Sequence, residues 1–513
     1  MLPQKKNINN KRVTPSALLL RFTFLFFIFL FAVKAQSQYY QYVDPFIGSQ
    51  GEGNVFVGPS CPFGMVKPGP DCNKNANSGY SPDMNKTLYG FSQTHVSGTG
   101  GGPKYGNVSV MPFAGDFESI KQESLRENEK VSAGYYSVLL KKWNIKTEIT
   151  ASRKVAYYKF SFANKNKKAV KIDCGEFLGE SIVPDGREAQ QFVGSEIEII
   201  NDHEVRGYTK IRGGWNNGNA YTVYFSAVFN KPFKLFNTWK NDQLFPSQKK
   251  QIDDGKKTGA MLFFDELKAN DIEMKIGISF ISSLKAKQNI DDEIPHWKFE
   301  TVLKETQTKW ENLLNKIEID TSASADQKKM FYTALYHTML MPVDRTGENP
   351  LWENNTAYYD DFYAIWDTYR SSNPLITLIS PSHEIDIVNS LLQIYKRDGY
   401  MPDARSGNCN GRTQGGSNAE VLIADAFVKD LKGINYNLAL EAMLKDANVP
   451  PGGNEEKEGR GGLTDYNSLG YVSTNFVRAG NRTLEYSYDD YCLATVAKGI
   501  NREGEYWRFF KTI

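Results

Sequence analysis

The sequence predicts a multidomain β + α protein, an N-terminal β-sandwich followed by helices that make up about half of an (α/α)6 toroid. Three observations point there. From Tyr39 to about Ser283, short runs rich in Val, Ile, Tyr and Phe alternate with turn signals, the pattern of a sandwich and not of βαβ units. Beyond about Asp291 the apolar residues change to helical spacing. At 513 residues the chain is too long for one ordinary core, so two large or three smaller domains are expected.

The N-terminus reads as an export signal. Lys5, Lys6, Lys11 and Arg12 form a positive region, and Phe24–Val33 is an unbroken apolar run. Val33 and Ala35 place small residues where a signal peptidase reads, so residues 1–35 are expected to be removed. The run is shorter than the roughly 20 residues a bilayer span needs. A periplasmic or extracellular location follows, with no integral membrane segment after cleavage. Residues 39–285 then form the sandwich. Tyr135–Leu140, Lys154–Phe162, Ile197–Ile200 and Tyr221–Phe229 are its clearest strands, with turns at Asn216-Asn217-Gly218 and Asp253-Asp254-Gly255.

Residues 286–324 are expected to be a linker helix, because Phe299, Val302, Leu303, Trp310, Leu313 and Leu314 fall on one helical face. Helices are expected next at Asp326–Met341, Glu384–Lys396, Asn418–Leu431, Tyr436–Ala447 and Tyr488–Gly499. Asn373-Pro374-Leu375 is expected to halt regular structure. Ser417 or Asn418 is a good N-cap for the helix that follows. A twelve-helix toroid takes roughly 350–400 residues at usual helix and loop lengths. The partial helical domain, 325–513, holds 189. The chain also ends on a largely apolar run without a helix stop, so a longer parent protein is expected.

Composition narrows the function. Net charge is +2, from 61 basic and 59 acidic residues, which leaves no basic footprint for nucleic acid. The five cysteines show no CxxC or Cys/His cluster, so a structural zinc is not expected. Export permits disulfides, and Cys61 and Cys72 are the nearest pair in sequence; the odd count leaves at least one free thiol.

The chemistry-bearing segment is Trp366-Asp367-Thr368-Tyr369-Arg370. An indole can cover the C–H face of a pyranose while fixed charges take its hydroxyls. A helix start with a core Trp and an Asp–Arg ion pair accounts for the same residues equally well. The Gly90–Gly102 loop sets His95 beside small hydroxyl residues and several glycines, yet lacks the Lys of a phosphate loop. His95 is read either as a ligand or, more often for a lone His, as structural. Thr483–Asp490 carries Glu485, Asp489 and Asp490; such clusters serve glycoside hydrolysis, Ca2+ binding, or a helix N-terminus.

Taken in order, the blocks Tyr42–Gly48, Pro62–Val66, Gly90–Gly100, Ala334–Pro342, Trp366–Arg370 with Pro374-Leu375, Val421–Phe427 and Thr483–Asp490 resemble glycoside hydrolase family 92, the exo-acting α-mannosidases. The resemblance implies a β-sandwich joined to an (α/α)6 barrel, with an interdomain active site that removes terminal α-linked mannose from glycans or glycoproteins by a Ca2+-dependent inverting mechanism. It implies substrate binding by Trp366, Asp367 and Arg370, closure of the cleft by His95, Gly98 and Thr99, and a place for Glu485 near the barrel mouth. The family's general acid and base lie in a Glu-Gly-Asn-x-Trp-Gln type motif and a Gly-Asn-Asp-Asp type motif. Neither occurs in this sequence, so no catalytic residue is expected here, both groups and most Ca2+ ligands are expected beyond Ile513, and this chain alone is expected to be inactive. The alternatives are a non-catalytic carbohydrate-binding protein of the same ancestry, or another (α/α)6-toroid carbohydrate-active enzyme.

Overall fold

Alternating burial along paired strands builds the first half of the protein. The computed structural model describes residues 38–115, 119–163, 167–180, 186–265, 271–352, 356–452 and 457–511. The expected signal peptide, residues 1–35, and Ile513 lie outside the described residues. In chain order the strands are β1 (Gly69–Asp71), β2 (Gly90–Ser92), β3 (Ser109–Ala114), β4 (Arg126–Ser132), β5 (Tyr135–Leu140), β6 (Ile145–Ala151), β7 (Val155–Phe162) and β8 (Lys168–Asp173). Then come β9 (Gln190–Ile199), β10 (Glu204–Gly213), β11 (Gly218–Phe229), β12 (Phe233–Lys240), β13 (Gln243–Pro246), β14 (Lys250–Asp253), β15 (Thr258–Phe264) and β16 (Asp271–Ser279).

Among the described residues, one sheet runs β1-β2-β3-β8-β15-β12-β13 and a second runs β14-β9-β10-β11-β16-β7-β6-β5-β4. One apolar cluster draws on both: Phe91, Val110, Ile172 and Leu262 from the first, and Tyr136, Phe160, Val205, Phe225 and Ile276 from the second. That shared core is what a sandwich requires. The turns follow their chemistry: Asn217 takes φ +54°, and the Asp253 carboxylate accepts from the N–H groups of Gly255 and Lys256 at 2.9 Å.

Helices follow: α1 (Ser283–Glu293), α2 (Phe299–Leu314), α3 (Ala325–His337), α4 (Ile365–Thr368), α5 (Ser372–Ile379), α6 (Pro381–Asp398), α7 (Ala419–Val428), α8 (Tyr436–Asn448), α9 (Leu463–Leu469), α10 (Ala479–Gly499) and α11 (Glu503–Phe510). A β-rich part followed by a helical part is therefore what the sequence encodes. Three expectations are corrected. Pro374 does not halt regular structure: it sits in the first turn of α5, where a missing N–H breaks no helical bond. Asp489 and Asp490 do not mark a helix start, because α10 begins at Ala479. The segment between sandwich and helical domain is also two helices, α1 and α2, capped at the start by Ser282, whose side chain accepts from Lys285 N–H. All five cysteines are free thiols.

Buried charge ties the two parts together. Arg345, 2% exposed, donates to Asp360 at 2.9 Å and Asp361 at 3.0 Å. It also donates to Tyr105 OH, from the loop between β2 and β3, and its guanidinium lies 3.8 Å from the Phe280 ring centroid. Tyr105 OH and Ser406 Oγ both donate to Asp361, while Asn408 N–H donates to Asp360 at 2.7 Å. A few residues away, the fully buried Glu348 accepts from Lys154 of the β6–β7 turn, Ser279 of β16 and Asn289 of α1. Arg345→Met leaves Asp361 buried without its cation. We expect it to lower unfolding free energy by about 3–5 kcal/mol in urea denaturation; a loss below about 1 kcal/mol would mean that this cluster does not join the two parts.

Candidate functional site

The Trp366–Arg370 segment is placed by a residue far away in sequence. Asp403, buried, accepts Trp366 N–H at 2.9 Å and Gln414 N–H at 2.7 Å, and its own carbonyl accepts Ile365 N–H at 2.7 Å. Burial pushes its carboxyl up to about 6, against the pull of those N–H donors. The indole of Trp366 packs on Gly415, where a Cβ would stand 2.4 Å from its Cδ1, so only glycine fits at 415. Trp366 Nε1 is buried and makes no hydrogen bond among the described residues. Asp367 is exposed; burial raises its carboxyl and Arg370 lowers it. Arg370 donates to Trp366 O at 3.1 Å and to Glu485 of α10 at 2.7 Å.

Asp367 lines a cavity of about 400 Å³ between the two parts of the chain. Ser97 and Gly98 supply one wall. His337, Thr338, Met341 and Pro342 supply another, and Asp361, Tyr363, Ser372 and Asn373 complete it. The wall at Asp361–Ala364 is bent by two non-glycine residues in the left-handed region, Asp361 at φ +61° and Ala364 at φ +43°. Such conformations cost about 1–3 kcal/mol each and persist where surrounding bonds over-determine them. Here Asp361 is fixed by Arg345, Tyr105 and Ser406. Tyr363 OH accepts Gly100 N–H at 2.7 Å, which docks the glycine-rich loop on the helical part. His337 carries a buried Nε2 with no hydrogen bond among the described residues, and burial pushes the ring down to about 4, so it is neutral near pH 7.

The expected site residues thus divide. Asp367 and Gly98 share this cavity. Trp366, Arg370 and Glu485 form a bonded group behind and beside Asp367, and Arg370 borders a second cavity of about 420 Å³ with Tyr369, Tyr488 and Tyr491. His95 does not reach either cavity. Its Nδ1 is 2.7 Å from Lys67 O, which can only accept, so Nδ1 carries a proton; Nε2 faces Asp71 at 3.0 Å and Ser92 Oγ at 3.1 Å. It holds the β-part of the loop in shape. Thr99 is buried as well, its carbonyl accepting from Asn77 at 2.6 Å.

Behind Glu485 lies a carboxylate cluster that sequence reasoning did not assemble. Asn418 donates to Glu485 at 3.0 Å and Asp489 at 3.1 Å instead of capping α7 with its side chain. Arg460, fully buried, pairs with Glu420 at 3.0 Å and Asp490 at 2.6 Å. Burial pushes Asp489 up to about 7 and Asp446 up to about 8. Neither Asp446 oxygen has a hydrogen-bond partner among the described residues. Asp403 and Arg460 were missed because single Asp and Arg residues in Gly- and Pro-rich connections carry no spacing signal.

These residues do not fit a calcium cage. Among the described residues no group of three or more His, Cys, Asp or Glu side chains could hold a metal ion. Asp361, Glu485 and Asp489 already accept from Arg, Tyr, Ser and Asn donors. Nor is any helix among the described residues long and apolar enough to cross a membrane.

Comparison with known proteins agrees with this architecture. The glycosyl hydrolase family 92 N-terminal domain matches residues 42–279, and the glycosyl hydrolase family 92 catalytic domain matches residues 285–512. A family GH92 α-mannosidase from Bacteroides thetaiotaomicron is 28% identical, with a TM-score of 0.83 over 93% of this chain and 65% of its own. The family GH92 inverting mannosidase from Bacteroides thetaiotaomicron VPI-5482 is 25% identical, with a TM-score of 0.81 over 93% of this chain and 65% of its own. An uncharacterized secreted glycosidase of Arthroderma benhamiae is 29% identical over 96% of this chain and 64% of its own length. The chain therefore spans a little under two thirds of the length of these relatives.

The buried carboxyl of Asp446 gives a signed pH test. Its folded value, about 8, lies above the ordinary 3.8, so the native state keeps a proton that the unfolded chain releases, and the stability this gives below pH 4 is lost as pH rises through 8. Asp446→Asn removes the loss. Urea unfolding should show the variant gaining on the parent between pH 5 and pH 9 by at least about 1.4 kcal/mol, one pKa unit's worth; a gap that stays constant or narrows contradicts the assignment.

Proposed function

This chain belongs to glycosyl hydrolase family 92, and we propose that it takes part in removing terminal α-linked mannose from glycans such as N-glycans or mannan. The observation that carries this reading is the cavity that brings Gly98 of the β-rich part and Asp367 of the helical part together, because both belong to blocks that resemble the mannosidases. Its volume of about 400 Å³ leaves room for a pyranose ring. Asp367 accepts from sugar hydroxyls, and Arg370, tied to Trp366 and Glu485, sets the charge beside it. The helical part is read as belonging to an (α/α)6 toroid and the protein as exported.

Inverting hydrolysis needs two carboxyl groups about 6.5–9.5 Å apart, one as acid and one as base. Among the described residues lining this cavity, the carboxylates are Asp361 and Asp367, and Asp361 is already committed to Arg345, Tyr105 and Ser406. The cleft is accordingly assigned substrate holding, and proton transfer is assigned to groups outside it. Calcium is proposed on the resemblance alone, and no step is routed through it. The same commitment of Asp361 favours one second reading, a protein that binds α-mannosides without cleaving them.

The test is direct. The chain is incubated with an α-mannobiose and with methyl α-D-mannopyranoside, and mannose release and binding are followed separately. Binding is expected, and Asp367→Ala should weaken it at least tenfold, about 1.4 kcal/mol; where release is detected, kcat/KM should fall by the same factor and a chelator should abolish it. Binding without release is what a cleft assigned to substrate holding gives under either reading. Binding unaffected by Asp367→Ala removes Asp367 from the site, and no binding of either mannoside sinks the proposal.

A further inference from the structure

Asn373 stands where two cavities meet. It lines the cavity that contains Asp367 and also the neighbouring one bounded by Tyr369, Tyr488 and Tyr491. Its side chain is turned back onto Glu384, in the first turn of α6: Asn373 Nδ2 lies 3.4 and 3.3 Å from the two carboxyl oxygens. Glu384 is 1% exposed, and this amide is its hydrogen-bonding neighbour among the described residues. A buried carboxyl is costly unless it is hydrogen-bonded, and this amide supplies that bond.

We propose that Asn373 contacts a hydroxyl of the bound pyranose, and that Glu384 is its positioning residue, fixing which edge of the amide faces the cavity. The inference rests on the functional reading above and adds a residue pair to it. An amide has two N–H donors and a two-lone-pair acceptor. Nδ2 is engaged by Glu384, while Oδ1 makes no hydrogen bond among the described residues and is left to accept from a sugar hydroxyl.

Glu384 can hold the amide whether or not it carries a proton. Burial pushes the acid up to about 8; the Asn373 hydrogen bond and Lys429 oppose that, and Asp425 adds to it. Lys429 and Asp425, themselves paired at 2.7 Å, are the charged groups that face it from α7 and its C-terminal end. On its own helix the neighbouring His383 is engaged with Ser380 Oγ. In either protonation state a carboxyl oxygen is available to accept from Asn373 Nδ2.

The experiment is calorimetric titration of the full chain with methyl α-D-mannopyranoside. Asn373→Ala should weaken binding at least tenfold. Glu384→Gln, whose amide oxygen can still accept from Asn373 Nδ2, should bind within twofold of the parent, while Glu384→Ala should lose at least fivefold. Parent-like binding by Asn373→Ala overturns the inference, as does equal weakening by Glu384→Gln and Glu384→Ala. If the parent binds, Asp367→Ala abolishes it and Asn373→Ala does not affect it, only this inference falls. If the parent does not bind at all, the functional reading falls and takes this with it.

Discussion

The described cleft depends on one buried cation. Arg345 draws Asp360 and Asp361 to it, and through Tyr105 it fastens the β-rich part to the helical part. Its three polar partners and the Phe280 face leave the guanidinium almost no water. Charges so placed are stabilising only as a set, since a lone buried carboxylate is far more costly than the pair. That condition fixes the position of Asp361, and with it the turn that carries Phe362 and Tyr363 into the cavity wall. The glycine-rich loop then docks against Tyr363.

A second buried cation, Arg460, organises the floor beyond Glu485 in the same manner. Glu420, Asp489, Asp490 and Asp446 crowd around it, more negative charge than one guanidinium can balance. The surplus is relieved by holding protons, which is why burial moves Asp489 and Asp446 toward neutral pH. The two clusters differ in purpose. The first joins separate parts of the chain; the second lets polar helices pack where an apolar core would leave Glu485 and Asn418 without a fixed orientation.

What the sequence made legible was periodicity. β5 is readable to the residue and β7 to within one, because alternating aromatic and β-branched side chains suit a half-buried pleat and no helical face. The long helices are readable from their apolar stripes. α1 is not, since Ala286, Asn289 and Ile290 make too narrow a buried stripe to see. α5 escapes the sequence because Pro374 ends a helix from within but is harmless in its first turn. At the site, local segments were legible and their partners were not. Trp366, Asp367 and Arg370 stand out as a mixed aromatic and charged run, whereas Asp403, 37 residues away, is joined to Trp366 only by the fold. His95 shows the converse: glycines and hydroxyls around a His look alike whether the ring faces a ligand or, as here, a buried Asp71 and a carbonyl.

The left-handed residues Asp361 and Ala364 have a thermodynamic consequence for whatever enters the cleft. Fixing a backbone residue costs about 1–2 kcal/mol of conformational entropy. For Phe362 and Tyr363, held between two strained neighbours and the Gly100 contact, that ordering is completed when the chain folds. A ligand entering the cleft would therefore spend little on ordering this wall, since that cost is met when the chain folds.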